Sequence, residues 1–169
     1  MPVRWSPPCS STVKINVDAC FFPNTKSAQV GVLIRDNEGF ILGAKAAKLD
    51  HTSSSFAAEA EVVVYDIRLA LDLGFRHVII EGDSLLVMRK LQFGADDRSE
   101  VSALVWNALH LAKNLQIVTF SFVMRDENKA AHEMARVPLT STSEIIWVEE
   151  APATVEAIAA MDRRWTEPP

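Results

Sequence analysis

Lys14-Ile15-Asn16-Val17-Asp18-Ala19-Cys20-Phe21-Phe22 reads as a β-strand, and its content decides how the rest of the chain is read. Ile15 and Val17 share one face by the two-residue alternation of a strand, and a carboxylate, Asp18, falls on the other. The stretch Lys14-Ile15-Asn16-Val17 lacks the character of an exposed edge, so Asp18 belongs to a core strand. A carboxylate there is costly unless a cation or hydrogen-bond donors meet it. The question passed to the rest of the chain is what meets Asp18.

Working outward, residues 1–12 hold Pro2, Pro7 and Pro8 among serines and read as a linker. After the first strand, Pro23-Asn24-Thr25-Lys26 is a turn. A second strand covers about 28–35, and Asp36-Asn37-Glu38-Gly39 makes a hairpin connection into a third, about 40–48. Thr52-Ser53-Ser54-Ser55 supplies capping residues for a long helix over roughly 56–73, which Gly74 ends. Arg76–Glu81 is a β-branched run expected to lie parallel to the first strand. Gly82-Asp83-Ser84 punctuates it before a short helix, Leu85–Phe93. A polar loop (94–99), a third helix (about 100–114), a fifth strand (Gln116–Met124) and a final helix opened by Arg125-Asp126-Glu127-Asn128 and running to about Val137 complete the order. Beyond 138, Ile145, Ile146 and Trp147 are expected to cover the domain, with a short helix near 153–162. The expected fold is α/β: a five-stranded mixed sheet, antiparallel through strands 1–3 and parallel through strands 1, 4 and 5, covered by helices.

At 169 residues the chain accommodates one domain with a core and tails. A net charge of −5 excludes a broad basic surface, so any nucleic-acid contact must use a local cluster of cations. Two cysteines, Cys9 and Cys20, make neither a disulfide framework nor a zinc site. The start has no signal or transit pattern, and no apolar run spans a bilayer. These readings give a soluble chain of the cell interior, nuclear or cytoplasmic, with no membrane partner.

Candidate chemistry lies on three separate elements. At about 100° per residue, Glu61, Tyr65, Arg68 and Asp72 form the solvent arc of the long helix, while Glu59 lies roughly 160° from Glu61 and points inward. Taken alone, Glu59 also reads as a first-turn acid favoured by the helix dipole. Asp83 follows the end of a strand, where ligands gather in α/β sheets; taken alone it reads as a cap for the helix that starts at Ser84 or Leu85. Asn128 and His132, four apart, share a face of the final helix. Asn128 alone also suits a cap, and His132 a structural or solvated histidine. Asp66 lies one helical stripe from Glu59, buried near it or paired elsewhere.

The order of these motifs resembles a ribonuclease H-like domain of the type 1 group, of the plant reverse-transcriptase-associated kind. The resemblance spans Trp5 to Val137. It is carried by Lys14-Ile15-Asn16-Val17-Asp18-Ala19, Gly31-Val32-Leu33-Ile34-Arg35-Asp36 with Gly39, and Ala58-Glu59-Ala60. The later blocks are Leu73-Gly74-Phe75 leading to Ile80-Glu81-Gly82-Asp83-Ser84, and Arg125 through His132. It implies a ribonuclease H-like fold over 13–137, with 138–169 as a C-terminal extension. It further implies a two-metal nuclease with Asp18, Glu59, Asp83 and His132 as catalytic metal ligands. Hard oxygen ligands suit Mg²⁺; His132 stands where the family has an acid, which favours Mn²⁺ or a role in proton transfer or product release. Two ions about 3.5–4 Å apart would activate water and stabilise the leaving 3′-oxygen. Phe122 replaces a histidine common in plant members, and the basic handle of some members is missing.

Three functions follow. The first is an endonuclease cutting the RNA strand of an RNA–DNA hybrid, with Asn16, Ala19, Ser84 and Asn128 contacting the 2′-hydroxyl edge. The second is a nucleic-acid-binding or interaction module with little or no turnover. The third is a C-terminal piece of a former retroelement polyprotein with no independent role; the domain itself is expected to be monomeric and part of a longer protein. Fold alone does not choose among them.

Overall fold

The computed structural model describes residues 3–94, 97–140 and 143–164. Parts of the expected linker (1–2), polar loop (95–96) and C-terminal extension (141–142 and 165–169) lie outside the described residues. Strands β1 (Val13–Phe22), β2 (Ser27–Arg35) and β3 (Ile41–Leu49) form the meander. Its second turn is set by Asp36, whose Oδ1 accepts from the Glu38 and Phe40 N–H groups at 2.9 Å, while Gly39 takes φ 86°. Helix α1 (Ser55–Asp72) starts where Ser54 accepts from the Ala57 N–H. It leads to β4 (His77–Gly82), α2 (Leu85–Phe93), α3 (Glu100–Ala112) and β5 (Ile117–Phe122).

Two expectations about the later chain are corrected. The final helix is not continuous: Arg125–Glu127 is a 3₁₀ turn, Asn128 leaves helical geometry (φ −117°, ψ 18°), and α4 covers only Lys129–Met134. The break has a cause, because the Asn128 side chain is held down against β1, as described below. The sheet has six strands rather than five. Beyond α4 the chain adds β6 (Glu144–Val148), antiparallel to β3, before α5 (Ala153–Arg164). The strand order is β5-β4-β1-β2-β3-β6. β1–β2–β3 are antiparallel, and β1, β4 and β5 run parallel. β6 escaped the sequence reading because five residues that return after a long connection pair only when the edge of β3 is on offer.

The central strand is apolar toward α1, where Ile15, Val17, Val30, Val32, Ile34, Val62, Val63, Ile67 and Ile80 are wholly buried. Each such side chain contributes about 1.5–3 kcal/mol of burial. A smaller core on the other face joins Leu33, Ala44, Ala46, Ala130, Met134 and Val155, with Ile145, Trp147 and Ile158 packed against it. Lys14, Asn16 and Asp18 also face that second side of β1, and all three are buried. The sheet is therefore sandwiched, and the polar residues of β1 are closed in by α4, α5 and the N-terminal segment. Cys9 and Cys20 are free thiols. Among the described residues no helix is long and apolar enough to cross a membrane.

Candidate metal and catalytic site

Asp18, Glu59 and Asp83 come together, each from its own element: mid-β1, the second turn of α1, and the residue after β4. One carboxylate oxygen from each lies within 4.8 Å of the others. The topology explains the meeting. β4 runs parallel to β1 with Val17 opposite Gly82, so Asp18 and Asp83 each follow that aligned pair on neighbouring strands. α1 packs on the Ile15–Val17 face of the sheet, and Glu59, near its start, reaches the same point. The capping alternative for Asp83 is not realised: Ser84 is the N-cap of α2, and its hydroxyl makes no capping bond.

The charges of the three acids are strained together. Burial first, then the Asp18 carboxylate beside it, push Glu59 well above the usual range, opposed by the Ala19 backbone N–H. Burial and Asp18 also raise Asp83, with Arg125 working against them. The donor set is three hard oxygens held close enough for their charges to disfavour one another. That is the chemistry a divalent cation of the Mg²⁺ or Mn²⁺ kind relieves, and the residues fit such an ion.

His132 stands on α4 with its Nδ1 2.7 Å from Asp18 Oδ2. A carboxylate only accepts, so Nδ1 carries its hydrogen toward Asp18. The Arg136 guanidinium, 2.9 Å from the same nitrogen, then finds its acceptor in the His132 carbonyl at 3.2 Å. His132 thus meets Asp18, while the group of mutually close ligand atoms contains the three acids. α4 comes this near because β2 carries glycine opposite Asp18. A Cβ on Gly31 would lie 2.3 Å from Ala135 N and 2.6 Å from the Met134 carbonyl carbon.

The remaining four residues of the expected site divide. Asn16 and Asn128 are wholly buried. Asn16 Nδ2 donates to Glu81 Oε1 and Asn128 Oδ1, both at 3.1 Å, and Asn128 Nδ2 donates to the Val17 carbonyl at 2.9 Å. Their polar atoms are spent inside the protein. The Ala19 N–H donates to Asp18 Oδ1 at 2.9 Å. Among the described residues the Ser84 hydroxyl is out of solvent and without a hydrogen-bond partner. Phe122, aligned with Gly82 at the end of β5, is partly exposed beside the site.

Two residues went unread. Arg125 Nε donates to Asp83 Oδ2 at 3.1 Å from a largely exposed side chain. Arg136 lies four residues beyond His132, a helical spacing that was the available signal. Arg125 stood inside a quoted motif, but nothing local to it announces Asp83, 42 residues away.

The family model described as reverse transcriptase-like matches residues 16–137. No curated protein matches the chain. Among solved structures, ribonuclease H1 from the halophilic archaeon Halobacterium salinarum is similar at 22% identity and TM-score 0.69, over 74% of this chain and 95% of that one. The N-terminal ribonuclease H domain of a Mycobacterium tuberculosis protein is similar at 20% identity and TM-score 0.68, over 74% and 91%. A ribonuclease H1 isolated from compost, solved in complex with an RNA/DNA hybrid, gives 20% identity and TM-score 0.66, over 73% and 94%. With the mixed sheet, its flanking helices and the match across most of its length, the chain belongs to the reverse transcriptase-like family and has a ribonuclease H-like domain.

Proposed function

We propose that this domain is a divalent-metal-dependent endonuclease that hydrolyses the RNA strand of RNA–DNA hybrids. The observation that carries the reading is the convergence of Asp18, Glu59 and Asp83 oxygens within 4.8 Å from three elements. The hybrid bound by the compost ribonuclease H1 of the same fold supports the substrate class. In this reading Asp18, Glu59 and Asp83 hold Mg²⁺, with Mn²⁺ as the substitute, and the catalytic unit spans 13–137 of a monomeric domain within a longer, plant-type retroelement-derived protein. Bound divalent ions supply a water of lowered pKa and offset charge on the departing 3′-oxygen. The chain's own part is positional. Ala19 N–H and His132 fix the rotamer of Asp18, and Arg125 holds Asp83 toward the acids. His132 is a further ligand or hands a proton across the site; Ala19 and Ser84 lie at the surface that meets the hybrid, and the buried Asn16 and Asn128 support that surface from beneath.

A second reading is a nucleic-acid-binding module with little turnover. It is favoured by His132 in place of an acid and by its direct bond to Asp18. A labelled RNA–DNA hybrid incubated with the protein in Mg²⁺ or Mn²⁺ separates the two. The expected result is cleavage of the RNA strand that disappears in Asp18→Asn. Absence of cleavage by the unaltered protein in both metals removes the enzyme reading.

A further inference from the structure

Among the described residues Arg35, on β2, is the largest fully buried side chain, and its partners come from both ends of the chain. Its Nη1 donates to Asp162 Oδ2 of α5 at 2.7 Å, and its Nη2 to Asn16 Oδ1 at 3.2 Å. Its guanidinium carbon lies 3.8 Å from the centre of the Trp5 ring. Trp5 Nε1 also donates to Asn16 Oδ1, at 3.0 Å. Asn16 therefore has all four hydrogen-bonding positions filled: two donors meet its oxygen, and its NH₂ meets Glu81 and Asn128. That pattern leaves the amide one orientation, because turning it would set its NH₂ against Arg35 and Trp5.

The orientation propagates. Asn16 Nδ2 fixes Asn128 Oδ1, which turns Asn128 Nδ2 onto the carbonyl of Val17, the residue before Asp18. The Asn128 backbone carbonyl accepts from the His132 N–H at 3.0 Å. Trp5 and Asp162 both lie outside residues 16–137, the part matched by the family model.

We propose that Trp5 and Asp162 are positioning residues for the acid–histidine site, acting through Arg35 and the Asn16–Asn128 pair on the start of α4 and so on His132. The inference rests on the reading of that cluster as the working site. It makes the N-terminal segment and α5 parts of one functional unit with the domain between them. Asp162 neutralises a cation that would otherwise be buried with no carboxylate hydrogen-bonded to it among the described residues. Trp5 supplies the second donor that locks the Asn16 oxygen.

The test uses the full chain with Trp5→Phe, which keeps an aromatic ring beside Arg35 while removing the indole N–H with its five-membered ring, and Asp162→Asn, which keeps the shape and removes the charge. Thr154→Ala, on the exposed start of α5, is the control. Amide NMR of the metal-free protein reports the side-chain NH₂ groups of Asn16 and Asn128 and the exchange of the His132 N–H. The expected result is that both variants shift those NH₂ signals and speed His132 exchange, while amides of β5 keep their wild-type protection. Unchanged Asn128 and His132 signals in both folded variants overturn the proposal. On the hybrid, kcat is expected to fall about tenfold with KM little changed, as for a misplaced rather than a missing group. A wild-type chain that cleaves nothing removes the nuclease reading instead, and the NMR result still decides whether the coupling exists. Loss of KM alone, with His132 exchange unchanged, assigns these residues to substrate contact and overturns the proposal.

Discussion

Asp18 has almost no exposed surface, and its two oxygens are taken by the Ala19 N–H and by His132. With His132 as a ligand in the proposed site, an imidazole replaces a hard oxygen and favours Mn²⁺ over Mg²⁺. His132→Asp is then expected to move cleavage activity toward Mg²⁺, read as the ratio of rates in the two metals. An unchanged ratio removes His132 from the ligand set. Asp66 is a different kind of acid. Both its oxygens are buried without a hydrogen-bond partner among the described residues, and burial holds its carboxyl well above the ordinary value of 3.8. Its folded pKa is raised, so its penalty is absent below the unfolded value and grows as pH rises toward the folded one. Asp66→Ala is therefore expected to stabilise the protein by roughly 1–3 kcal/mol at neutral pH and by less near pH 4. Urea unfolding at the two pH values checks this, and an equal gain at both means that the charge is not the cause. The helical spacing showed that Asp66 shares a stripe with Glu59. That it has no partner depends on what packs against α1, which helical phase does not contain.

At the scale of elements, α4 is the piece whose placement matters most. It is only six residues long, too short to be stable by propensity, and is held by Met134, Ala130 and Ala131 in the core and by Asn128 at its start. Gly31 is where its backbone rests on β2. Gly31→Ala must push α4 from the sheet and draw His132 from Asp18. It is expected to destabilise the fold by about 1–3 kcal/mol and to lower cleavage further than that loss explains, measured as activity well below the unfolding midpoint. Full activity in a folded Gly31→Ala chain refutes the close-contact argument. The motif Gly31-Val32-Leu33-Ile34-Arg35 was legible as a strand, because β-branched alternation is local. The need for glycine was not, because the clashing atoms belong to Met134 and Ala135, a hundred residues on. For the same reason the final helix read as continuous: nothing near Asn128 in sequence announces that Asn16 and Val17 will pull it out of helical geometry.

At the scale of the molecule, a net charge of −5 and three clustered acids mean that the nucleic-acid contact we propose must use cations at the rim of the site. Arg125 and Arg136 are placed there, beside Asp83 and His132, by the folding of β5 and α4. The order of strands and helices through β5, the parallel and antiparallel pairings of the first five strands, and the inward phase of Glu59 were all fixed by local signals. Strand alternation, helical period, caps and turn residues act over a few positions and so are written in the chain itself. The sixth strand, the break before α4, the burial of Asn16 and Asn128, and the clamp joining Trp5, Arg35 and Asp162 were settled only by tertiary structure. Each depends on a donor, an acceptor or an open strand edge brought from far along the chain, and residue spacing alone carries no record of that meeting.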